Sequence, residues 1–192
     1  MQLSFTEIAL LCKNHFLETD RRTEHLVEGC RSNKRSAQKA LYETYCDAMF
    51  STAYRIVNNY DDAQDVLQDA FLEIFSHISQ FRGESTIGAW IKTIVVRKAL
   101  KKLKSLKFSD VFEENGSETT LDFMDDFSGE YIEQLILTLP DGYRAVFLLI
   151  EVEGYNHAEV AAMLGISTGT SKSQLSRAKK FLRAKVEKIN AF

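Results

Sequence analysis

Apolar residues recur along most of this chain at intervals of three and four, the spacing of one face of an α-helix. Ala37, Leu41, Tyr45, Ala48, Met49 and Ile56 form one such stripe, and Asn33 stands where its N-cap belongs. Asn58 and Asn59 break the pattern. Asp61 then reads as the cap of the next helix, with Gln64 three positions on and Val66, Leu67, Ala70, Phe71, Ile74 and Ile78 on the buried face. A short loop at 81–86 precedes a third stripe of Ile87, Trp90, Ile91, Ile94, Val95 and Leu100. The spacing puts Trp90 in the core rather than on the surface as a stacking platform. With a further helix near 23–31, these elements predict a compact helical domain over residues 23–104.

From 105 to 128 the periodicity fades and Asp, Glu, Ser and Thr take over, which predicts a linker. Its apolar residues, Phe108, Val111, Phe112, Leu121, Phe123 and Phe127, suit docking against something, whereas its acidity suits a solvated tether. Both readings fit. A second helical domain is expected over 129–192, with a helix opening at Pro140 and carrying Val146, Phe147, Leu149 and Ile150. Within it, residues 154–184 read GYNHAEVAAMLGISTGTSKSQLSRAKKFLRA. Asn156 and Glu159 suit a capping box, Val160, Ala161 and Leu164 an apolar face, Gly165 a sharp turn, and Ser167 a second cap. Leu175, Ala178 and Leu182 continue at helical spacing among Lys172, Arg177, Lys179, Lys180 and Arg183. That is the layout of a helix-turn-helix whose second helix enters the DNA major groove.

The expected fold is therefore all-α: two small helical domains joined by a flexible acidic linker, behind an N-terminal extension at 1–22. Ile8, Leu11 and Phe16 allow a short helix in that extension. One proline and nine glycines in 192 residues oppose a β-sandwich, and 45% hydrophobic residues suffice for packed cores.

The net charge of −3 changes the picture, because a DNA-binding protein is usually basic. Its arrangement resolves this: Arg97 to Lys107 and Lys172 to Lys185 form two basic stretches, with the acidic connector between them. Two nucleic-acid contacts are implied, and the overall acidity implies help from a partner. Cys12, Cys30 and Cys46 are odd in number and widely spaced, which favours reduced, buried thiols over a zinc site or disulfides. No apolar run is long enough for a membrane span, and the first residues lack a basic leader, so a cytoplasmic location is expected. His15, His25, His77 and His157 are scattered, in no nucleophile or metal pattern. His157 reads as an exposed residue. No metal, no cofactor and no enzymatic activity are expected.

Two blocks carry a family resemblance. YDDAQDVLQDAFLEIFSHISQFRGESTIGAWIKTIVVRKAL resembles region 2, and LPDGYRAVFLLIEVEGYNHAEVAAMLGISTGTSKSQLSRAKKFLRAKV resembles region 4, of the extracytoplasmic-function group of bacterial sigma factors. These are the promoter-specificity subunits of RNA polymerase. With flanking helices the similarity covers about residues 23–188.

The resemblance implies partners and roles. Asp62, Asp65, Gln68 and Asp69, on their own a solvated acidic face, become contacts to core RNA polymerase, whose β′ and β subunits are the implied partners. Arg82, Gly83, Glu84, Ser85 and Thr86 become the loop that captures a flipped base of the minus-ten promoter element. Arg97, Lys98, Lys101 and Lys102 become its phosphate contacts; the family commonly carries asparagine at position 97. Lys172, Ser173, Gln174, Arg177 and Lys180 become the face that reads the minus-thirty-five element. The family usually has an apolar residue in place of Ser171 and an arginine in place of Gln174. Glutamine can pair bidentately with adenine where arginine prefers guanine, so Gln174 is expected to shift one base preference. The linker resembles the connector that threads the polymerase cleft, and an anti-sigma factor is a further implied partner. The competing reading is a polymerase-independent helix-turn-helix regulator, which leaves the loop at 81–86 and the first basic helix unexplained.

Overall fold

The computed structural model describes residues 21–109 and 129–189, and every element among them is helical. They fall into two compact units dividing near Leu106. The first holds α1 (Arg21–Arg31), α2 (Arg35–Val57), α3 (Tyr60–His77) with a 3-10 turn (Ile78–Gln80), and α4 (Ile87–Ser109). The second holds α5 (Gly129–Leu137), α6 (Asp141–Phe147) running into a π-helical turn (Leu148–Val152), α7 (His157–Leu164) and α8 (Thr168–Ile189). The expectations for Cys12, for most of the extension and for positions 110–128 of the linker lie outside the described residues, whereas 105–109, expected as linker, continue α4.

In the first unit, α2 packs on α1 and α3. Leu41, Met49 and Ile56 of α2 are buried, as are all six apolar residues expected on α3 and its following turn. On α4 the buried set is Ile87, Ile91, Ile94, Val95, Val96, Ala99, Leu100 and Leu103. Each large apolar side chain so buried contributes about 1.5–3 kcal/mol, against about 0–1 kcal/mol for an exposed ion pair, so the apolar seam holds this unit together. Cys30 is buried in it, and burial pushes its thiol pKa up; Cys46 is only half-buried.

Two expected caps fall elsewhere. Asn33 does not start α2; it ends α1 in left-handed backbone (φ 53°), and Lys34 takes the N-cap position with no side-chain cap bond. Asp61 does not cap α3; the Asn59 side chain accepts from the Asp62 N–H at 3.0 Å, leaving Asp61 and Asp62 in the first turn. An acceptor at the cap and acidic groups just inside it both favour the positive end of the helix dipole.

The second unit is built around α8, on which α6 and α7 pack. Val146, Phe147, Leu149, Val160, Ala178 and Leu182 form much of its core. Arg144 lies among them almost without exposure. Its Nη1 donates to the Leu139 carbonyl at 2.8 Å and its Nη2 to Asp141 Oδ1 at 2.7 Å, so the guanidinium stitches the 138–140 turn to the start of α6. Beyond α6, the Glu153 N–H donates to the Leu148 carbonyl, the i→i+5 bond of the π turn.

Arg144→Ala is expected to cost the second unit about 3 kcal/mol, through the cavity it leaves and the buried Leu139 carbonyl it abandons. Circular dichroism in urea should register that loss. The fluorescence of Trp90, the chain's single tryptophan, should keep its midpoint because it reports the first unit.

Candidate nucleic-acid interface

The polar face of α3 and the cationic face of α4 meet. Lys102 Nζ lies 2.9 Å from Asp62 Oδ1 and 3.2 Å from Asp65 Oδ2, and Lys98 Nζ lies 2.7 Å from Glu73 Oε2. Hydrogen bonding to Asp62, then Asp65, raises the Lys102 pKa above its ordinary value. The hydrogen bond from Lys98 holds Glu73 below the usual carboxylate range, against the opposing effect of burial. Thus two of the four cations expected on phosphates, Lys98 and Lys102, are engaged by carboxylates of α3. Arg97 and Lys101, one helical turn apart, are exposed instead.

Gln68 and Asp69 are exposed beside Asp65, on a stripe that continues to Leu72, one of three exposed large apolar residues among those described. The other two, Tyr42 and Tyr60, border an open groove of about 590 Å³ between α2 and α3. Phe50, Gln64, Leu67 and Gln68 also line it, with Phe50 edge-on to Tyr60 at 5.2 Å. The sequence pattern missed this aromatic wall, because Tyr42 and Phe50 fall off the core stripe of α2. Their spacing of eight, two helical turns on one face, was the available signal.

The loop before α4 encloses a smaller open pocket of about 220 Å³, lined by Gln80, Phe81, Arg82, Glu84, Ser85 and Trp90. Gly83 turns the chain with φ 75°, which a side chain rarely tolerates. Thr86 Oγ1 accepts from the Ala89 N–H at 3.2 Å and so caps α4, while Arg31 holds the Phe81 carbonyl at 2.7 Å. Trp90 is not a core residue here. It is half-buried and faces Phe81 at 5.7 Å, giving the pocket an aromatic wall beneath a polar, exposed rim. Such a site suits a planar, hydrogen-bonding group.

In the second unit the capping box of α7 is complete. The Asn156 side chain accepts from the Ala158 and Glu159 N–H groups, and Glu159 accepts from the Asn156 N–H at 2.7 Å. Gly165 ends α7 in left-handed backbone (φ 69°), and Ser167 Oγ accepts from the Thr170 N–H at 2.9 Å to start α8. Lys172, Ser173, Arg177 and Lys180 are exposed on α8. Arg177 also reaches the Tyr143 hydroxyl at 3.4 Å, and Lys179 is tied to Glu151 at 2.8 Å. Gln174 is half-buried, its amide lying over Gly142 where a Cβ would stand 3.4 Å from Nε2. His157 is not an exposed bystander; it is half-buried, with Nδ1 at 2.9 Å from Ser171 Oγ. Among the described residues, no group of three or more His, Cys, Asp or Glu side chains is placed to hold a metal, and no helix is long and apolar enough to cross a membrane.

Two family models match the chain: Sigma-70 region 2 over residues 41–108, and Sigma-70, region 4 over residues 129–182. The chain is similar to the ECF RNA polymerase sigma factor SigM of Mycobacterium tuberculosis, 29% identical over 125 residues, 62% of this chain. That match spans 61% of the relative's length. It is also similar to the RNA polymerase sigma factor SigV of Bacillus subtilis, 27% identical over 164 residues, covering 81% of this chain and 96% of SigV. Among solved structures, the sigma factor RpoE of Bartonella quintana, in complex with the anti-sigma factor NepR, shares the fold at a TM-score of 0.51 and 21% identity. It covers 78% of this chain and 96% of RpoE.

The ion pairs between α3 and α4 make the first unit's stability depend on pH with a defined sign. Because folding depresses the Glu73 pKa, its contribution is present above the ordinary value of about 4.3 and is lost as pH falls through the lower folded value. Urea titrations followed by Trp90 fluorescence, from about pH 3 to about pH 7, should show that loss in the parent chain and a flatter profile in Glu73→Gln.

Proposed function

Because this chain belongs to the extracytoplasmic-function group of the sigma-70 family, we propose that it is a promoter-specificity subunit of bacterial RNA polymerase. It binds core polymerase, brings it to promoters and helps open the duplex, without catalysing a reaction itself. The carrying observation is the pocket at 80–90. It joins an aromatic wall of Phe81 and Trp90 to a rim of Arg82, Glu84 and Ser85, just ahead of the helix that exposes Arg97 and Lys101. An ordinary helix-turn-helix regulator has no use for such a site.

In this reading Asp65, Gln68 and Asp69, with the adjoining groove, face the β′ and β subunits. Asp62 acts mainly by holding Lys102. The loop at 82–86 traps an extruded base of the minus-ten element, which offsets a few kcal/mol of unstacking. Arg97 and Lys101 hold the strand, and Lys98 and Lys102 stand behind them. Lys172, Ser173, Arg177 and Lys180 read or hold the minus-thirty-five element, with Gln174 at the edge of that face. Two weak DNA sites on one chain gain from effective concentration. A cytoplasmic location and an anti-sigma partner complete the proposal, and the complex of RpoE with NepR supports the latter.

Purified core polymerase should initiate at specific sites on genomic fragments only when this protein is added. Tight, specific DNA binding without polymerase, and no such initiation, would instead favour the regulator. Arg97→Ala and Lys101→Ala should each lower the slope of log affinity against log salt by about 0.7 on opened promoter DNA. In promoter selection, Gln174→Arg should change the preferred base at one minus-thirty-five position by about 1–3 kcal/mol.

A further inference from the structure

Ser171 is fully buried where α7 and α8 converge. A hydroxyl withdrawn from water is tolerated when it is hydrogen-bonded. Here the partner is His157 Nδ1 at 2.9 Å, reaching across fourteen residues of sequence. His157 is the first residue of α7 and follows Asn156 directly, so the completed capping box fixes where its ring starts. Ser171 stands in the first turn of α8, its N–H bonded to the Ser167 carbonyl at 3.0 Å. The chain of contacts therefore runs from the cap of α7, through the imidazole, into the opening turn of α8. Lys172 and Ser173 follow at once and are exposed. Farther along, α8 is held separately: Ala178 and Leu182 are buried, and Arg177 meets Tyr143.

We propose that His157 is a positioning residue for promoter reading, its hydrogen bond to Ser171 setting the tilt of the first turn of α8 against α7. An apolar contact at this position fixes distance alone, whereas a hydrogen bond also fixes direction. The bond decides which bases Lys172 and Ser173 reach, and leaves the Arg177 end of the helix where its own packing puts it. The proposal rests on the reading of α8 as the minus-thirty-five helix.

The test is promoter selection by the reconstituted holoenzyme on a library randomised across the minus-thirty-five element. The variants are Ser171→Ala, His157→Ala, the double substitution, and His157→Asn, whose shorter amide can still meet the serine near the place of Nδ1. Each alanine variant should lose about fivefold to tenfold in base preference at the positions under Lys172 and Ser173, the size expected for one broken buried bond. Preference under Arg177 should persist, the double variant should be no worse than either single, and His157→Asn should recover most of the loss. Equal loss at every position, additive single effects, or His157→Asn behaving like His157→Ala would each overturn the proposal. Melting temperature followed by circular dichroism separates loss of folding from loss of reading. Should Ser171→Ala not fold, Ser171→Val decides the question: blurred preference under Lys172 and Ser173 supports the proposal, and unchanged preference overturns it. A parent holoenzyme indifferent to the whole element would remove the reading of α8 itself. That result differs from a selective parent whose selectivity ignores His157.

Discussion

An α-helix leaves its first four N–H groups and last four carbonyls without partners inside the helix, and at four helix starts this chain meets that demand with side chains. Asn59 starts α3, Thr86 starts α4, Asn156 and Glu159 start α7, and Ser167 starts α8. The loop pocket lies immediately before the Thr86 cap, and the helix-turn-helix angle is drawn between the caps at Asn156 and Ser167. Losing one of these acceptors costs about 0.5–2 kcal/mol of helix stability.

The division of labour between apolar burial and charge follows from magnitude. Burial of the faces of α2, α3 and α4 outweighs anything the partly exposed ion pairs can supply. What charge provides is placement. Of the cations on α4, those toward α3 are drawn back to Glu73, Asp62 and Asp65, and those on the next face project outward. A chain with a net charge of −3 thereby presents a local basic face without having to be basic overall.

Much of this was legible in the residue pattern because helical spacing is a strong signal. The buried face of α3, the burial of Ala178 and Leu182 on α8, the turn at Gly165, the capping box at Asn156 and the cap at Ser167 all follow from local chemistry, while Leu175 is only half-buried. What escaped depended on neighbours distant in sequence. Asn33 and Asp61 are plausible caps by type, yet Asn33 takes the left-handed position, and Asn59, two residues before Asp61, directly precedes the true start of α3. Trp90 fits the stripe of α4 by spacing, but Phe81 draws its ring toward the loop. Nothing in the local sequence pairs Lys102 with Asp62, forty positions away, or His157 with Ser171. Arg144 is the plainest case: a charged residue inside an apolar run, buried because a carbonyl and a carboxylate wait for it.

The Lys102 pairing has a consequence for how such a protein changes over generations. Asp62 and Asp65 belong to one surface by sequence and Lys102 to another, yet they share a single bonded cluster. A substitution on the acidic helix alters the position and hydration of the cation behind it, so the two surfaces cannot drift independently. Tolerated changes at Asp62 should therefore arrive together with changes at Lys102. Scanning either surface one residue at a time will credit to one partner an effect that belongs to both. Coupling between Asp62 and Lys102 is written into the ion pairs that join α3 to α4.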